Sequence, residues 1–578
     1  MPLVYDFEVL SHDWLMVAVD IKSKEETVIH NDRNRMIEFY EANKKNIWIG
    51  FNSAHYDTYI LKSIICGFNP KRVNDFIISE DQPGWKYSEA FQKVPLYNFD
   101  IFTGYNGLKT LEGFMGSDIR ESSIPWDIQR PLTAAELTEL IKYCRHDVYE
   151  TIRVLGYRFE EFSSHLGLIE MYNLPLVNIN KSKAQLSAYI LGAKRRPNAD
   201  LDEMDFEISD KLRITKYKHV VDWYMNPKNR DYSKELVVII DGVVHVFAWG
   251  GLHGAVECYM GEGIFIHLDV RSYYPSEILE HGWMSRSVPS DKLFREVYEK
   301  RIEFKKNKDK RQGPMKIVLN STYGAMKDKN NPLYDPKMAN NICVNGQLFL
   351  LDLLEHLEGH CKVIQSNTDG LIVKVDTEQD IDAVKSICKE WENRTGMVLG
   401  YDIFNKIYQR DVNNYLIAND NEFESKGALK EPSILDNDLP IIKTAMIEYM
   451  THGTPLEKTI YECNDLMQFQ KIVKVSRKFD YAVMMGSNGQ EILDGKHFRV
   501  FASKRSQDGT IKRGKWDNVK TDLFGNPTVI KADKFPNTSE NCFIDNGEVR
   551  GKPIPSYLDR EYYLTQAKHI IQGFGVEI

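Results

Sequence analysis

The stretch Ile264-Phe265-Ile266-His267-Leu268-Asp269-Val270-Arg271-Ser272-Tyr273-Tyr274-Pro275-Ser276 decides how the chain is read. Its first seven residues form a largely apolar run of strand length that carries a carboxylate near its end. The chain then bends into a helical stretch, Ser276-Glu277-Ile278-Leu279-Glu280. An acid at a strand terminus is well placed for a metal site. A second acid, Asp369, falls at the tip of an expected hairpin, Val363-Ile364 and Leu371-Ile372-Val373 around the turn Ser366-Asn367-Thr368-Asp369-Gly370. Two acids carried by separate strands can converge on one pair of divalent ions.

Between these acids the pattern predicts helices over 291–310 and 314–326, the second opened by Gly313-Pro314, and a further helix around 339–357. Lys316, Asn320 and Tyr323 fall at i, i+4 and i+7, so a cation, an amide and an aromatic ring share one helix stripe. A core stripe would be aliphatic. This one has the chemistry to hold a triphosphate and to touch a nascent base pair.

Upstream, residues 1–170 alternate strand-like runs (14–19 and 46–51) with helical ones, an α/β signature. Asp6 and Glu8 lie two apart in a strand and leave the same face. Asp57 closes Asn52-Ser53-Ala54-His55-Tyr56-Asp57 directly after an apolar strand, and Tyr143 and Asp147 sit at i, i+4 on a helix whose start is marked by Thr133-Ala134-Ala135-Glu136. Four acids can clamp two Mg²⁺ around a scissile phosphate, which is phosphodiester hydrolysis. Lys109, in Gly107-Leu108-Lys109-Thr110-Leu111, is a candidate for stabilising charge there, but the expectation is a surface lysine with its stem laid over apolar neighbours.

Asp6-Phe7-Glu8, Asn52 to Asp57 and Tyr143 to Asp147 resemble, in order, the three exonuclease motifs of proofreading DNA polymerases. Asp269 to Ser276, Lys316 to Gly324 and Asn367-Thr368-Asp369 look like motifs A, B and C of the family B DNA polymerases. Phe247-Ala248-Trp249-Gly250-Gly251-Leu252-His253-Gly254-Ala255 resembles the glycine-bearing motif that joins the two activities and partitions the primer end. The resemblance covers about residues 1–430, and the remainder more loosely.

It implies an RNase H-like exonuclease domain followed by a right-hand palm, fingers and thumb, an α/β and α+β multidomain architecture. The expected boundaries are 1–175 for the exonuclease, 176–260 for a connecting segment, 261–288 and 328–430 for the palm, 289–327 for the fingers and 431–578 for the thumb. In the synthetic centre it implies two Mg²⁺, with Mn²⁺ as a substitute, held by Asp269, Asp369 and the Val270 carbonyl. The dNTP would meet Lys316, Asn320, Arg301, Lys305, Ser272 and Tyr274, the last closing the sugar pocket. DNA would meet Tyr323, Gly324, Gly250, Gly251, Tyr415 and Lys426. In the hydrolytic centre the metal ligands would be Asp6, Glu8, Asp57 and Asp147, with Tyr143 orienting the water and Asn52 and Tyr56 holding a single-stranded 3′ end.

The sequence departs from the family at motif C, where Asn367 stands for the first aspartate, Gly370 for a serine and Gln365 for a tyrosine. Lys406-Ile407-Tyr408 and Asn413-Asn414-Tyr415 compete for the lysine-x-tyrosine motif, and Tyr415 is favoured. Lys316 follows Asp269 by 47 residues and Asp369 follows Gly324 by 45, which leaves little room for the insertions of protein-primed members. The chain resembles the compact phage-type enzymes in overall size without those insertions, so a nucleic-acid primer is expected, and the compactness suits a viral or mobile-element source. The competing reading is a 3′→5′ exonuclease whose polymerase half has decayed into a DNA-binding module, supported by Asn367.

Length and composition agree with this. The 578 residues suggest about four modules, and 42% hydrophobic with 27% charged residues is ordinary for a globular protein. The net charge of −9 is unusual for a nucleic-acid enzyme, but Lys471 to Lys520 carries twelve basic residues against five acids and could grip a duplex. A second basic run extends from Lys300 to Arg311. The eight cysteines show no Cys-x-x-Cys pair and are expected to be reduced. No apolar run of membrane-spanning length and no signal-peptide pattern is present, so a cytoplasmic monomer is expected, acting on primer-template DNA and dNTPs with replisome accessory proteins as further partners.

Overall fold

The computed structural model describes residues 2–487, 489–521 and 527–578. The chain forms two compact units. Unit 1 comprises Met1–Asn180, Pro432–Ile441 and Ile460–Tyr563; unit 2 comprises Lys181–Glu431, Ile442–Thr459 and Leu564–Ile578. The stretch 431–578, expected to be one module, is therefore shared between them. Its β-rich part, 460–563, belongs with the N-terminal residues, because the loop after residue 112 is hydrogen-bonded into it.

Unit 1 begins with β1 (Pro2–Val9), β2 (Trp14–Asp20), β3 (Glu26–His30), α1 (Arg33–Asn43), β4 (Ile47–Gly50), α2 (Asp57–Cys66), α3 (Pro70–Ile78) and β5 (Tyr97–Asp100), followed by α4 (Leu108–Phe114), α5 (Ala134–Tyr157) and α6 (Phe159–Met171). The strands form one sheet in the order β3-β2-β1-β4-β5, with β1 antiparallel to β2 and parallel to β4. Tyr5, Phe7, Trp48, Ile60 and Leu61 are among the residues of its core. α5 starts as expected: the Thr133 hydroxyl accepts from Glu136 N, and the Glu136 carboxylate accepts from Thr133 N.

Unit 2 contains α7 (Lys183–Ile190), α8 (Lys218–Met225), β6 (Glu235–Ile240), β7 (Val243–Ala248), β8 (Leu252–Ala255), β9 (Tyr259–Val270), α9 (Tyr273–Glu280), α10 (Lys292–Lys306), α11 (Gln312–Lys327), α12 (Pro336–Leu357), β10 (Lys362–Ser366), β11 (Gly370–Val375), α13 (Glu378–Thr395), β12 (Leu399–Asp411), β13 (Asn414–Ala418) and β14 (Phe423–Lys426). Nine strands form one sheet, β14-β13-β12-β9-β11-β10-β8-β7-β6. The connecting segment thus contributes three full strands, β6 to β8, to the sheet that carries Asp269. α12 is buried on nearly every side, as an apolar helix must be when it crosses a core. Asn341 and Asn345 on it accept the backbone N–H groups of Glu207 and Ser209, each at 2.8 Å, which satisfies a loop that forms no ladder of its own.

The remaining part of unit 1 is built from short strands, including β15 (Lys471–Lys474), β16 (Tyr481–Gly486), β17 (Gly489–Leu493), β18 (His497–Ala502) and β19 (Thr510–Gly514). β18 pairs with β15 on one side and with Cys542–Ile544 on the other. All eight cysteines are free, and no helix among the described residues is long and apolar enough to cross a membrane.

Candidate active sites

In unit 1 the pleat of β1 sends Asp6 and Glu8 to one face, the face on which α5 presents Tyr143 and Asp147. Asp57 opens α2, and its carboxylate accepts the Phe7 N–H at 3.0 Å, which ties it to the strand segment between Asp6 and Glu8. Burial, with Asp57, Glu8 and Asp147 as neighbours, pushes the Asp6 carboxyl well above the usual range; burial and Asp147 do the same to Glu8. Burial lifts Asp57 to about 7 despite the Phe7 hydrogen bond, and lifts Asp147 to about 6 against the pull of Lys109. All four acids expected at this site therefore lie within electrostatic reach of one another. Tyr143 is raised by burial first and then by Asp147, Glu8 and Asp6, so it remains a phenol.

Lys109 is not a surface lysine. Its side chain is 13% exposed, its ammonium is ion-paired with Asp147 and, at 3.0 Å, with Glu112, and it lies 4.6 Å from the Tyr143 ring centroid. Burial pulls the ammonium down, but the two carboxylates outweigh it and hold the charge in place. The sequence left Lys109 ambiguous because the partners that desolvate it lie on α4 and 38 residues away on α5. Glu112 and His146 also escaped notice; with Asp147 they place ligand atoms within 4.8 Å of one another, as do Asp6, Glu8 and Cys144.

Asn52 has φ +61°, and the loop it starts is braced by Asp100, whose carboxylate accepts from Asn52 N at 2.8 Å and Ala54 N at 3.0 Å. The Tyr56 hydroxyl donates to Asn74 at 2.7 Å. Burial first, then Asp57, Glu8 and Asp6, raise the Tyr56 phenol, so its ring borders the acid cluster.

In unit 2 the register sets Gly370 opposite Asp269 on paired antiparallel strands, and Val270 N donates to the Asp369 carbonyl at 2.9 Å. Asp269 and Asp369 are thus neighbours across a strand end, 100 residues apart in sequence. Burial, then Asp369, lift the Asp269 carboxyl to about 6, eased by His267. Asp369 is exposed. The two unusual residues of the turn have physical reasons. The Asn367 side-chain oxygen accepts from Asp369 N at 3.1 Å and Gly370 N at 2.9 Å, closing the turn that presents Asp369. At Gly370 a Cβ would lie 2.3 Å from the Leu268 carbonyl oxygen, so the strands approach too closely for serine.

Around these acids, Ser272 has φ +52° and accepts from Arg301 at 3.1 Å, which draws the end of α10 toward the strand-to-helix bend. Tyr273 is buried and donates to the Gly346 carbonyl, while Tyr274 stacks on Tyr323 with centroids 4.0 Å apart. Lys316 and Asn320 share the exposed face of α11 and Lys305 is exposed on α10; Gly324 is open on the same helix. Gly250 and Gly251 form the β7–β8 turn, where a Cβ on Gly251 would come within 3.0 Å of the Thr368 hydroxyl. Tyr415 pairs with Lys426 across β13 and β14, and its phenol is lifted to about 12 by burial first and then by Glu424. His267, Asp402 and Glu424, on three strands of this sheet, place ligand atoms within 4.8 Å of one another; sequence spacing gave no hint of that grouping.

One expectation about the basic stretch fails at a particular residue. Arg499 is 0% exposed and bonded to backbone carbonyls, so it cannot meet phosphate, and Lys471 is ion-paired with Asp438.

No protein-family model matches the chain, and no curated protein is similar to it in sequence. Among solved structures it is similar to the family B DNA polymerase from the hyperthermophilic archaeon Pyrobaculum calidifontis, over 100% of this chain and 78% of that one, with 13% identity and a TM-score of 0.42. The chemistry is read from the residues themselves.

Proposed function

We propose that the chain is a template-directed DNA polymerase of family B that also removes nucleotides from a single-stranded 3′ end. The observation that carries the reading is the meeting of Asp269 and Asp369 at one strand end. Both donor sets fit hard divalent cations. They are dominated by carboxylate oxygens, and the Cys144 thiol beside Asp6 and Glu8 donates to the Asp6 carbonyl at 3.6 Å and carboxylate at 3.7 Å. Asp269 and Asp369, with the Val270 carbonyl, would hold Mg²⁺ in one centre and Asp6, Glu8, Asp57 and Asp147 in the other; Mn²⁺ would substitute. Such ions supply Lewis-acid activation of the attacking oxygen and neutralise the leaving one.

The residues of the chain do the rest. In synthesis the primer 3′-oxygen bonds to the α-phosphorus of a dNTP, the bond to the β-phosphate oxygen breaks, pyrophosphate leaves and the hydroxyl proton passes to solvent. Lys316, Lys305 and Arg301 would hold the triphosphate, Asn320 would line its path, and Ser272 would keep Arg301 in place. The Tyr274–Tyr323 stack forms a wall against the sugar and excludes a 2′-hydroxyl. In hydrolysis a water oxygen bonds to phosphorus and gives up a proton to solvent, and the bond to the bridging 3′-oxygen breaks, that oxygen taking a proton from solvent to leave as a hydroxyl; Tyr143 would orient the water and Lys109 would counter the charge on the phosphate. Tyr415 and Lys426, Gly250 and Gly251, and Asn52 and Tyr56 would touch the DNA strands.

A primer-extension gel with Mg²⁺, run with and without dNTPs, tests both activities. Extension by the parent and its loss in Asp269→Ala is the expected result. Degradation without extension would leave an exonuclease carrying a DNA-binding remnant, and equal extension by Asp269→Ala would overturn the reading.

A further inference from the structure

The side chain that fixes the hydrolytic centre of unit 1 lies nearly 400 residues further along the chain. α4 presents Lys109 and Glu112 to Asp147. Its end is capped locally, Ser117 N donating to the Glu112 carbonyl at 3.0 Å and Gly116 N to the Gly113 carbonyl at 3.1 Å, and each of these carbonyls has a second lone pair. Arg499, on β18, adds a donor from outside the segment. Its Nη2 donates to the carbonyls of Ser117 at 2.7 Å, Gly113 at 3.1 Å and Glu112 at 3.5 Å. Nη1 donates to the Asp545 and Gly547 carbonyls, and Nε to Gln470 at 3.0 Å.

A buried guanidinium without a carboxylate in its hydrogen-bonding shell is costly, and here its donors are spent on one helix end and on the strands that hold it. The position also suits its charge, since a cation at a helix C-terminus meets the negative end of the helix dipole. Burial lowers the guanidinium to about 10, so it stays charged through any neutral assay.

The same segment is held at further points. Asn437 donates to the Phe114 carbonyl at 2.8 Å, Val549 N to Gly116 O at 3.0 Å and Ile119 N to Asn546 O at 2.7 Å. A Cβ on Gly113 would lie 2.7 Å from Ile472, so α4 is pressed against β15 with no room to slide.

We propose that Arg499 is a positioning residue for phosphodiester hydrolysis, acting through α4 to hold Lys109 against Asp147. The proposal rests on the hydrolytic reading of that centre. A displacement of α4 by about 1 Å would move the ammonium away from the reacting phosphate, and misplacement of that size costs up to about 10²-fold in rate.

The test is a double-mutant cycle on the full chain, read as single-turnover degradation of a single-stranded oligonucleotide, with Arg499→Lys and Lys109→Met. Arg499→Lys is expected to lower the maximal rate about 10- to 100-fold with the half-saturating DNA concentration unchanged. In the Lys109→Met background it is expected to change the rate less than about twofold, because the group it positions is gone. Primer extension and the melting temperature report folding. Gln470→Met, which removes one acceptor of the guanidinium and a donor to the Phe114 carbonyl at the same helix end but leaves the charge, is expected to give the same non-additive pattern at smaller amplitude. Full additivity of either variant with Lys109→Met, or a parental rate in both variants, overturns the proposal. A parent that extends primers but degrades nothing overturns the hydrolytic reading and the proposal with it.

Discussion

In unit 1 four carboxylates crowd one site, Asp57 and Asp147 almost wholly buried, with a lysine locked among them. In unit 2 two aspartates meet at a strand end, one of them exposed, with no lysine or arginine ion-paired to either among the described residues. The first arrangement stores electrostatic repulsion in the fold itself, which one lysine offsets in part and protons or bound cations relieve further. The second leaves most of the charge to solvent, so the fold itself does not call for cations there. Two centres suited to the same ions should therefore differ in what those ions do for stability.

The largest expected effect separates the two centres. Asp269→Ala should lower primer extension by roughly 10³-fold or more while single-strand degradation continues, and Asp6→Ala with Glu8→Ala should do the reverse. A single variant that removes both activities would break the comparison.

The next effect concerns stability. Asp57 and Asp147 hold their protons up to about 7 and about 6 in the folded chain, against ordinary values near 4 when unfolded. The stability they confer is present below about pH 4 and is lost as pH rises through 6 to 7. With a chelator present, the melting transition of unit 1 should fall by roughly 2–4 °C or more between pH 5.5 and 8. Mg²⁺ should restore it at pH 8 and change little at pH 5.5. Scanning calorimetry with unit-specific fluorescence checks this, and an equal Mg²⁺ effect in Asp6→Asn with Glu8→Gln would contradict it.

A smaller effect sharpens the picture of the open centre. Asn367→Ala removes the oxygen that closes the Asp369 turn and should slow extension about 10- to 100-fold, the usual cost of losing a group that orients a metal ligand. Asn367→Asp keeps that acceptor and should stay within a few-fold of the parent. Equal losses in both would mean the amide has another task.

The smallest lies beside that centre. Glu277 on α9 is wholly buried, with no cation paired to it among the described residues, and burial raises its carboxyl well above the usual range although the Tyr273 hydroxyl beside it pulls the other way. Its contribution is present below the unfolded value and is lost as pH rises through the folded one. Glu277→Gln should therefore raise the melting temperature by about 2–4 °C at pH 8, the gain shrinking toward pH 4.5.

What the sequence revealed, and what it withheld, follows the range of the interactions involved. Asp6 and Glu8, Tyr143 and Asp147, and Lys316, Asn320 and Tyr323 were legible because strand and helix periods place them on one face. The Thr133 cap and the hairpin around Asp369 were legible from local turn chemistry. Lys109 was misjudged because a lone lysine looks alike whether it is solvated or desolvated by partners on another helix. Arg499 counted as one of twelve basic residues because burial by carbonyls leaves no trace in spacing. The shared ownership of 431–578 was hidden for the same reason, since its ties to the segment after residue 112 end on backbone groups.

Those ties also set a timetable. The α4 segment leaves the ribosome roughly 430 residues before the strand that ends near Asn546, an interval of roughly 20–90 s at about 5–20 residues per second. Throughout that interval Lys109 rides on a helix held at its carbonyl end by its own cap alone. The acid cluster of unit 1 is consequently among the last parts of the nascent protein to gain all its supports, although its first two acids are among the first residues made.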